Sequence, residues 1–126
     1  MRNVVVPLVI LVLVAAFIAV NLAAVTDGVS RLDRLLETAE TAVLSGDFEA
    51  ARAALSDFSK DFAVFRKYLD AVISHTETDN IMLSAERLPA MCREETAADF
   101  LSEAAVTRAL LRHIRDCEMP TVENIL

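Results

Sequence analysis

The chain has 126 residues, 55% of them hydrophobic, with only 2 Gly, 3 Pro and no Trp. So few breakers exclude a turn-rich all-β fold and disfavour a glycine-cradled nucleotide site. The net charge of -7, with no basic stripe interleaved with aromatics, argues against a nucleic-acid partner and against adhesion to anionic lipid.

The hydrophobic share is uneven. Of residues 4 to 25, only Pro7 and Asn21 are not hydrophobic. As a helix this run is roughly 33 Å long, enough to cross a hydrocarbon core of about 30 Å. A cleaved secretory signal is the alternative, since Arg2 gives a positive n-region. Two features disfavour it: the run exceeds the usual apolar stretch of about 7 to 15 residues, and cleavage after Ala24 places bulky Leu22 where a small residue is wanted. With no cysteine directly after the run, a lipoprotein anchor is not expected. The reading is an uncleaved transmembrane signal anchor over residues 1–25, followed by a domain over residues 26–126. Arg2 and the terminal amine balance Arg31 and Arg34 across the span, so charge counting alone does not orient it. A short, positively charged tail before a first span ordinarily stays in the cytoplasm, which sends residues 26–126 outside it. A single span builds no channel or transporter unaided.

Beyond the span, Arg2 being the one base before residue 26, 11 Lys or Arg stand against 19 Asp or Glu, an acidic helical composition. Leu22, Val25, Val29, Leu32, Leu36, Ala39 and Val43 alternate steps of three and four, which predicts a first domain helix over 27–44. Gly28 marks either a hinge near Thr26 to Gly28 or a point that the membrane helix simply passes through. Ser45-Gly46-Asp47 reads as a stop and a restart, with Gly46 suited to the left-handed position and Asp47 to the next N-cap.

The second helix, 47–73, carries the strongest period: Phe48, Ala51, Leu55, Phe58, Phe62, Phe65, Leu69 and Val72. This stripe fits a partner helix at a shallow angle, as in four-helix bundles. Its aromatic row reads as packed core in preference to a ligand groove. Asp57, Lys60, Asp61, Arg66, Lys67 and Asp70 read as a solvated face. A capping box, Ser74 with Glu77 or Thr76 with Asp79, opens a third helix over 76–91 that lines up Ile81, Ala85, Leu88 and Cys92. Pro89 is expected to kink that helix or end it early. A fourth helix, 95–117, runs through Phe100, Ala104, Thr107, Leu111 and Ile114. Pro120 stops it, leaving a tail from Thr121 to Leu126. The fold expected is all-α: an N-terminal transmembrane helix followed by an antiparallel four-helix bundle.

The tract HTETDNI, then Ser84, Arg87-Leu88, Glu103, His113-Ile114, Glu118 and the closing Asn124-Ile125-Leu126, resembles a bacterial family catalogued as domain of unknown function 4363. The Gly46-Asp47 turn with Ala50-Ala51 and the lone N-terminal span extend the likeness over essentially the whole chain. The resemblance implies a small membrane-anchored helical protein and brings no activity with it. Genes of such members tend to neighbour one for another small uncharacterised membrane protein, which implies a membrane partner, possible as a multi-span protein. The sequence departs from the family pattern at Pro89 and from Cys92 to Glu95, where the end of the third helix is in question.

If the third and fourth helices form a hairpin turning near residue 94, residues whose numbers sum to roughly 187 lie opposite. His75 then falls beside His113, Asp79 near Arg108, and Arg87 near Phe100 to Glu103. His75, Glu77, Asp79, Arg87, Glu103 and His113 are accordingly expected to form a structural polar network, with His75 and the acids capping the third helix and Arg87 paired to Glu103. The alternative is an extracytoplasmic small-ligand or metal-binding sensor using His75, Asp79 and His113. HxExD is no established ligand spacing, and the Glu-x-x-His pairs of di-iron bundles are absent. No metal ligand set or cofactor site is therefore assigned. Ser84 lacks a glycine elbow and reads as a local hydrogen-bonding serine. Cys92 and Cys117 fall at opposite ends of the fourth helix, roughly 30 Å apart at 1.5 Å per residue, too far for a bridge between them. No catalytic constellation emerges. The expected function is a non-enzymatic interaction or accessory module held at the membrane; its oligomeric state is not set by the sequence.

Overall fold

The structure is a computed structural model that describes residues 2–71 and 73–118. Val72, the Pro120 stop and the tail with Asn124-Ile125-Leu126 lie outside the described residues. Those described form four α-helices and no strand.

Helix α1, Arg2–Leu44, is one uninterrupted rod of 43 residues. Its first half is exposed and apolar from Val4 to Val20, and its second half enters the bundle at Val25. With a mean hydropathy of 3.0 over its most apolar stretch, it is long and apolar enough to cross a membrane. Of the two alternatives at Gly28, the continuous helix is the one found: α1 passes without a hinge through this glycine. Its lack of a side chain serves packing instead: a Cβ there would lie 2.3 Å from the ring of Phe65.

The turn after α1 follows its chemistry. Gly46 takes φ +80°, Gly46 N–H donates to Val43 O and Asp47 N–H to Ala42 O, the paired bonds that close a helix ending in a left-handed residue. Asp47 then caps α2, Phe48–Leu69, by accepting from Ala50 N–H at 3.1 Å.

Helix α3, His75–Arg87, starts at Ser74, whose hydroxyl accepts from Thr76 N–H at 3.3 Å. The predicted reciprocal capping by Glu77 does not form, since the Glu77 carboxylate turns to His113. Helix α3 also stops short of residue 91. Pro89 offers no N–H and opens a 3-10 turn, Pro89–Met91; a second turn, Glu94–Thr96, leads into α4, Ala97–Glu118. Leu88 and Cys92 remain fully buried even though they lie past the helix end. Arg52 of α2 donates to Cys92 O at 2.9 Å and so ties this connection to the bundle.

Each predicted stripe faces inward. Val25, Val29, Leu32, Leu36, Ala39 and Val43 of α1 are buried, as are Ala51, Leu55, Phe58, Phe62, Phe65 and Leu69 of α2; Ile81 and Ala85 of α3 and Phe100, Ala104, Thr107, Leu111 and Ile114 of α4 complete the core. Fully burying one Phe or Leu contributes about 1.5–3 kcal/mol, so these stripes supply the main driving force for the fold. The helices run alternately up and down. Helix α1 packs against α2 and α4, α3 packs mainly on α4, and the α2–α3 side is the thinnest.

Candidate functional site

Polar groups concentrate at the end of the bundle where the exposed apolar half of α1 emerges. Tyr68 of α2 donates its hydroxyl to Asn21 Oδ1 of α1, and Asn21 in turn donates to Phe17 O at 2.8 Å. The last turn of α2, the first turn of α3 and the last turn of α4 meet at this level.

Arg66 and Asp70 anchor one cluster. Arg66 pairs with Asp70 at 3.5 Å and with Asp79 of α3, and its guanidinium reaches Met82 Sδ. Asp70 accepts from Thr78 Oγ1 at 2.9 Å and lies 3.3 Å from His75 Nδ1. Burial pushes the Asp70 carboxyl up, but the Thr78 hydrogen bond, His75 and Arg66 together hold it below the ordinary carboxylate value. Arg66 and Asp70 are therefore not members of a solvated face; they join α2 to α3. Above them a groove of about 380 Å³ opens between the same helices, with Phe58, Phe62, Met82 and Ala85 on its floor and walls and Lys67 and Glu86 at its rim. The rings of Phe58 and Phe62 stack at 6.1 Å. The aromatic row is thus core on one side and groove lining on the other.

A second cluster lies on the α4 side. His113 Nε2 is 3.4 Å from Glu77 Oε1 and 3.5 Å from Cys117 Sγ. A third joins the middle of α3 to α4: Ser84 Oγ donates to Glu103 Oε1 at 2.8 Å and lies 2.7 Å from Thr107 Oγ1, while Arg87 sits 3.5 Å from Glu103.

The six polar residues singled out from the sequence are consequently divided. His75 and Asp79 turn to α2, Glu77 and His113 meet each other, and Arg87 meets Glu103. Residues two apart on a helix are separated by about 200°, so Glu77 cannot share a face with His75 and Asp79. The proposed ligand set of His75, Asp79 and His113 does not converge, because His75 and Asp79 turn to Asp70 and Arg66 of α2 while His113 of α4 meets Glu77. Nor is the network buried: the His75 and His113 side chains are 73% and 60% exposed, so solvent screens both contacts.

Arg108 does not face Asp79. It pairs with Asp33 at 2.6 Å and Glu40 at 3.1 Å, both on α1. Burial opposes the charge, but Asp33 and Glu40 more than offset it and raise the Arg108 value. The signal for this pairing lies in α1, where Asp33 and Glu40 stand one heptad apart beside the apolar seam. At the opposite end of the bundle, burial pushes the Cys92 thiol up, against the opposing influence of Arg52. No bridge joins Cys92, which is buried, to Cys117, which is exposed. Ser84 has no histidine beside it, and its hydroxyl serves the α3–α4 contact.

Residues 20–125 match the model of the family described as Domain of unknown function (DUF4363). No curated protein matches the chain, and no solved structure does. The match covers most of the chain, which belongs to that family.

Proposed function

We propose that this DUF4363 member is a single-pass membrane protein whose four-helix domain is a non-enzymatic interaction or accessory module for a membrane partner. The observation that carries the reading is the continuity of α1. One rod presents exposed apolar residues from Val4 to Val20 and then buried core residues from Val25 onward. An exposed apolar surface of that extent is unfavourable in water and favourable in a hydrocarbon core. Because no linker intervenes, the domain's orientation is fixed to that of the span, which suits a module that docks beside another membrane protein. In this reading the four-helix domain lies outside the cytoplasm.

Affinity capture of the full chain from detergent-solubilised membranes tests the role. A stoichiometric membrane protein partner is the expected result, and its loss when the span is replaced by an unrelated one would locate the contact in the bilayer. Extraction of the chain from membranes by alkaline carbonate would overturn the anchored reading. Reporter fusions at the C-terminus, active only on one side of the membrane, decide the orientation.

A further inference from the structure

The Glu77, His113 and Cys117 cluster gathers a carboxylate, an imidazole and a thiol at one point between α3 and α4. The three donor atoms lie within 4.8 Å of one another. His113 Nε2 lies 3.4 Å from Glu77 Oε1 and 3.5 Å from Cys117 Sγ, and the same sulfur is 3.9 Å from Nδ1, so it sits beside the imidazole ring. In a tetrahedral zinc site, bonds of about 2.0–2.1 Å to nitrogen and oxygen give an N···O edge of about 3.4 Å, which is the Glu77–His113 spacing. Completing the set requires the Cys117 side chain to rotate from the ring to the Nε2 side.

The positions are built by regular helix geometry. His113 and Cys117 are one turn apart on the same face of α4, and Glu77 projects from the first turn of the antiparallel neighbour. Imidazole, thiolate and carboxylate together suit a borderline-soft divalent cation, and the cysteine disfavours magnesium or calcium. The exposure of His113 and Cys117 leaves one side open to solvent.

We infer that Glu77, His113 and Cys117 form a binding site for a divalent cation of the zinc class, with water in the fourth position, at the membrane-proximal end of the bundle. Binding exchanges the thiol proton of Cys117 for the metal and releases that proton to solvent. The cation would staple the start of α3 to the end of α4. This inference stands on the cluster's geometry and does not depend on the accessory role.

The test is a cobalt(II) titration of the reduced full chain in detergent micelles, with zinc(II) as competitor. One equivalent of cobalt should give an intense near-ultraviolet thiolate-to-cobalt band and visible bands of a four-coordinate ion, both erased by zinc. Cys117→Ser should abolish the near-ultraviolet band, and His113→Gln and Glu77→Gln should each weaken binding by at least about tenfold. His75→Gln and Asp79→Asn should leave affinity unchanged, because those side chains serve the α2–α3 cluster. The inference is overturned if no thiolate band forms, if the band survives Cys117→Ser, or if the two glutamine variants bind as tightly as the native chain.

Discussion

The ring of Phe65 lies over Gly28, so close that a Cβ on the glycine would fall 2.3 Å from a ring carbon. The contact joins α1 and α2 just below the level at which α1 leaves the bundle. Adding the methyl of Gly28→Ala gains about 0.5–1 kcal/mol of helix propensity, but overpacking a buried contact costs about 1–3 kcal/mol. Net destabilisation is expected, visible as a lowered thermal midpoint by circular dichroism in micelles. Combining it with Phe65→Leu should cost less than the sum of the two single changes. An additive pair would mean that the ring does not meet the glycine.

Arg108 holds α4 against α1 through Asp33 and Glu40. Arg108→Met leaves two half-buried carboxylates facing each other without a cation. Breaking a fully buried pair costs about 3–5 kcal/mol, and partial solvent access reduces this to about 1–3 kcal/mol. A double-mutant cycle with Asp33→Asn, read by denaturant unfolding, should return a clear coupling energy. Independence of the two sites would count against the pairing.

The Asp70 carboxyl titrates below its ordinary value in the folded chain. Its contribution is therefore fully present above the unfolded value of about 3.9 and is lost as the pH falls through the lower folded value. Acid unfolding of the native chain should steepen below about pH 4, and Asp70→Asn should flatten that limb while lowering stability at neutral pH. An identical acid limb in the variant would exclude Asp70 as its source.

Cys92 is fully buried and its thiol is pushed up by that burial. Thiolate is the reactive form, so maleimide labelling at neutral pH should leave Cys92 unmodified in the folded chain and modify it on denaturation. Peptide mass mapping reads this directly. Rapid labelling of Cys92 under native conditions would show that the 3-10 connection opens, which the Arg52 contact to Cys92 O argues against.

At the first turn, Gly46 adopts a positive φ that costs other residues roughly 1 kcal/mol or more. Gly46→Ala should destabilise by about that amount and Asp47→Ala by about 1 kcal/mol through loss of the α2 cap. The two changes together should leave the helix content nearly intact, since the core stripes and not the turn hold α1 to α2. A collapse of helicity in the double variant would give the turn a larger role.

The sequence by itself determined which residues face inward. Helix periodicity is local, so a three-and-four spacing of Leu, Val and Phe defines a buried stripe whatever the stripe meets. The Gly46-Asp47 turn, the Ser74 start and the interruption at Pro89 are likewise local chemistry, and each is where it was expected within a few residues. The pairing of Arg87 with Glu103 was legible because a hairpin of consecutive helices fixes its own register.

Only the tertiary structure decided which polar partner each flanking residue meets. Arg108 lies next to the α3 face in sequence arithmetic, yet rotation about α4 aims it at Asp33 and Glu40, 75 and 68 residues away. His75 and Asp79 share a face turned toward α2, while Glu77 looks the other way to His113. Gly28 left a hinge and a continuous helix equally open, because glycine weakens an isolated helix without breaking it, whereas the ring of Phe65, from a different helix, determines what that position must be. Spacing along one helix fixes angles on that helix alone. The order of helices around the core, set by burying all four stripes at once, fixes the rest.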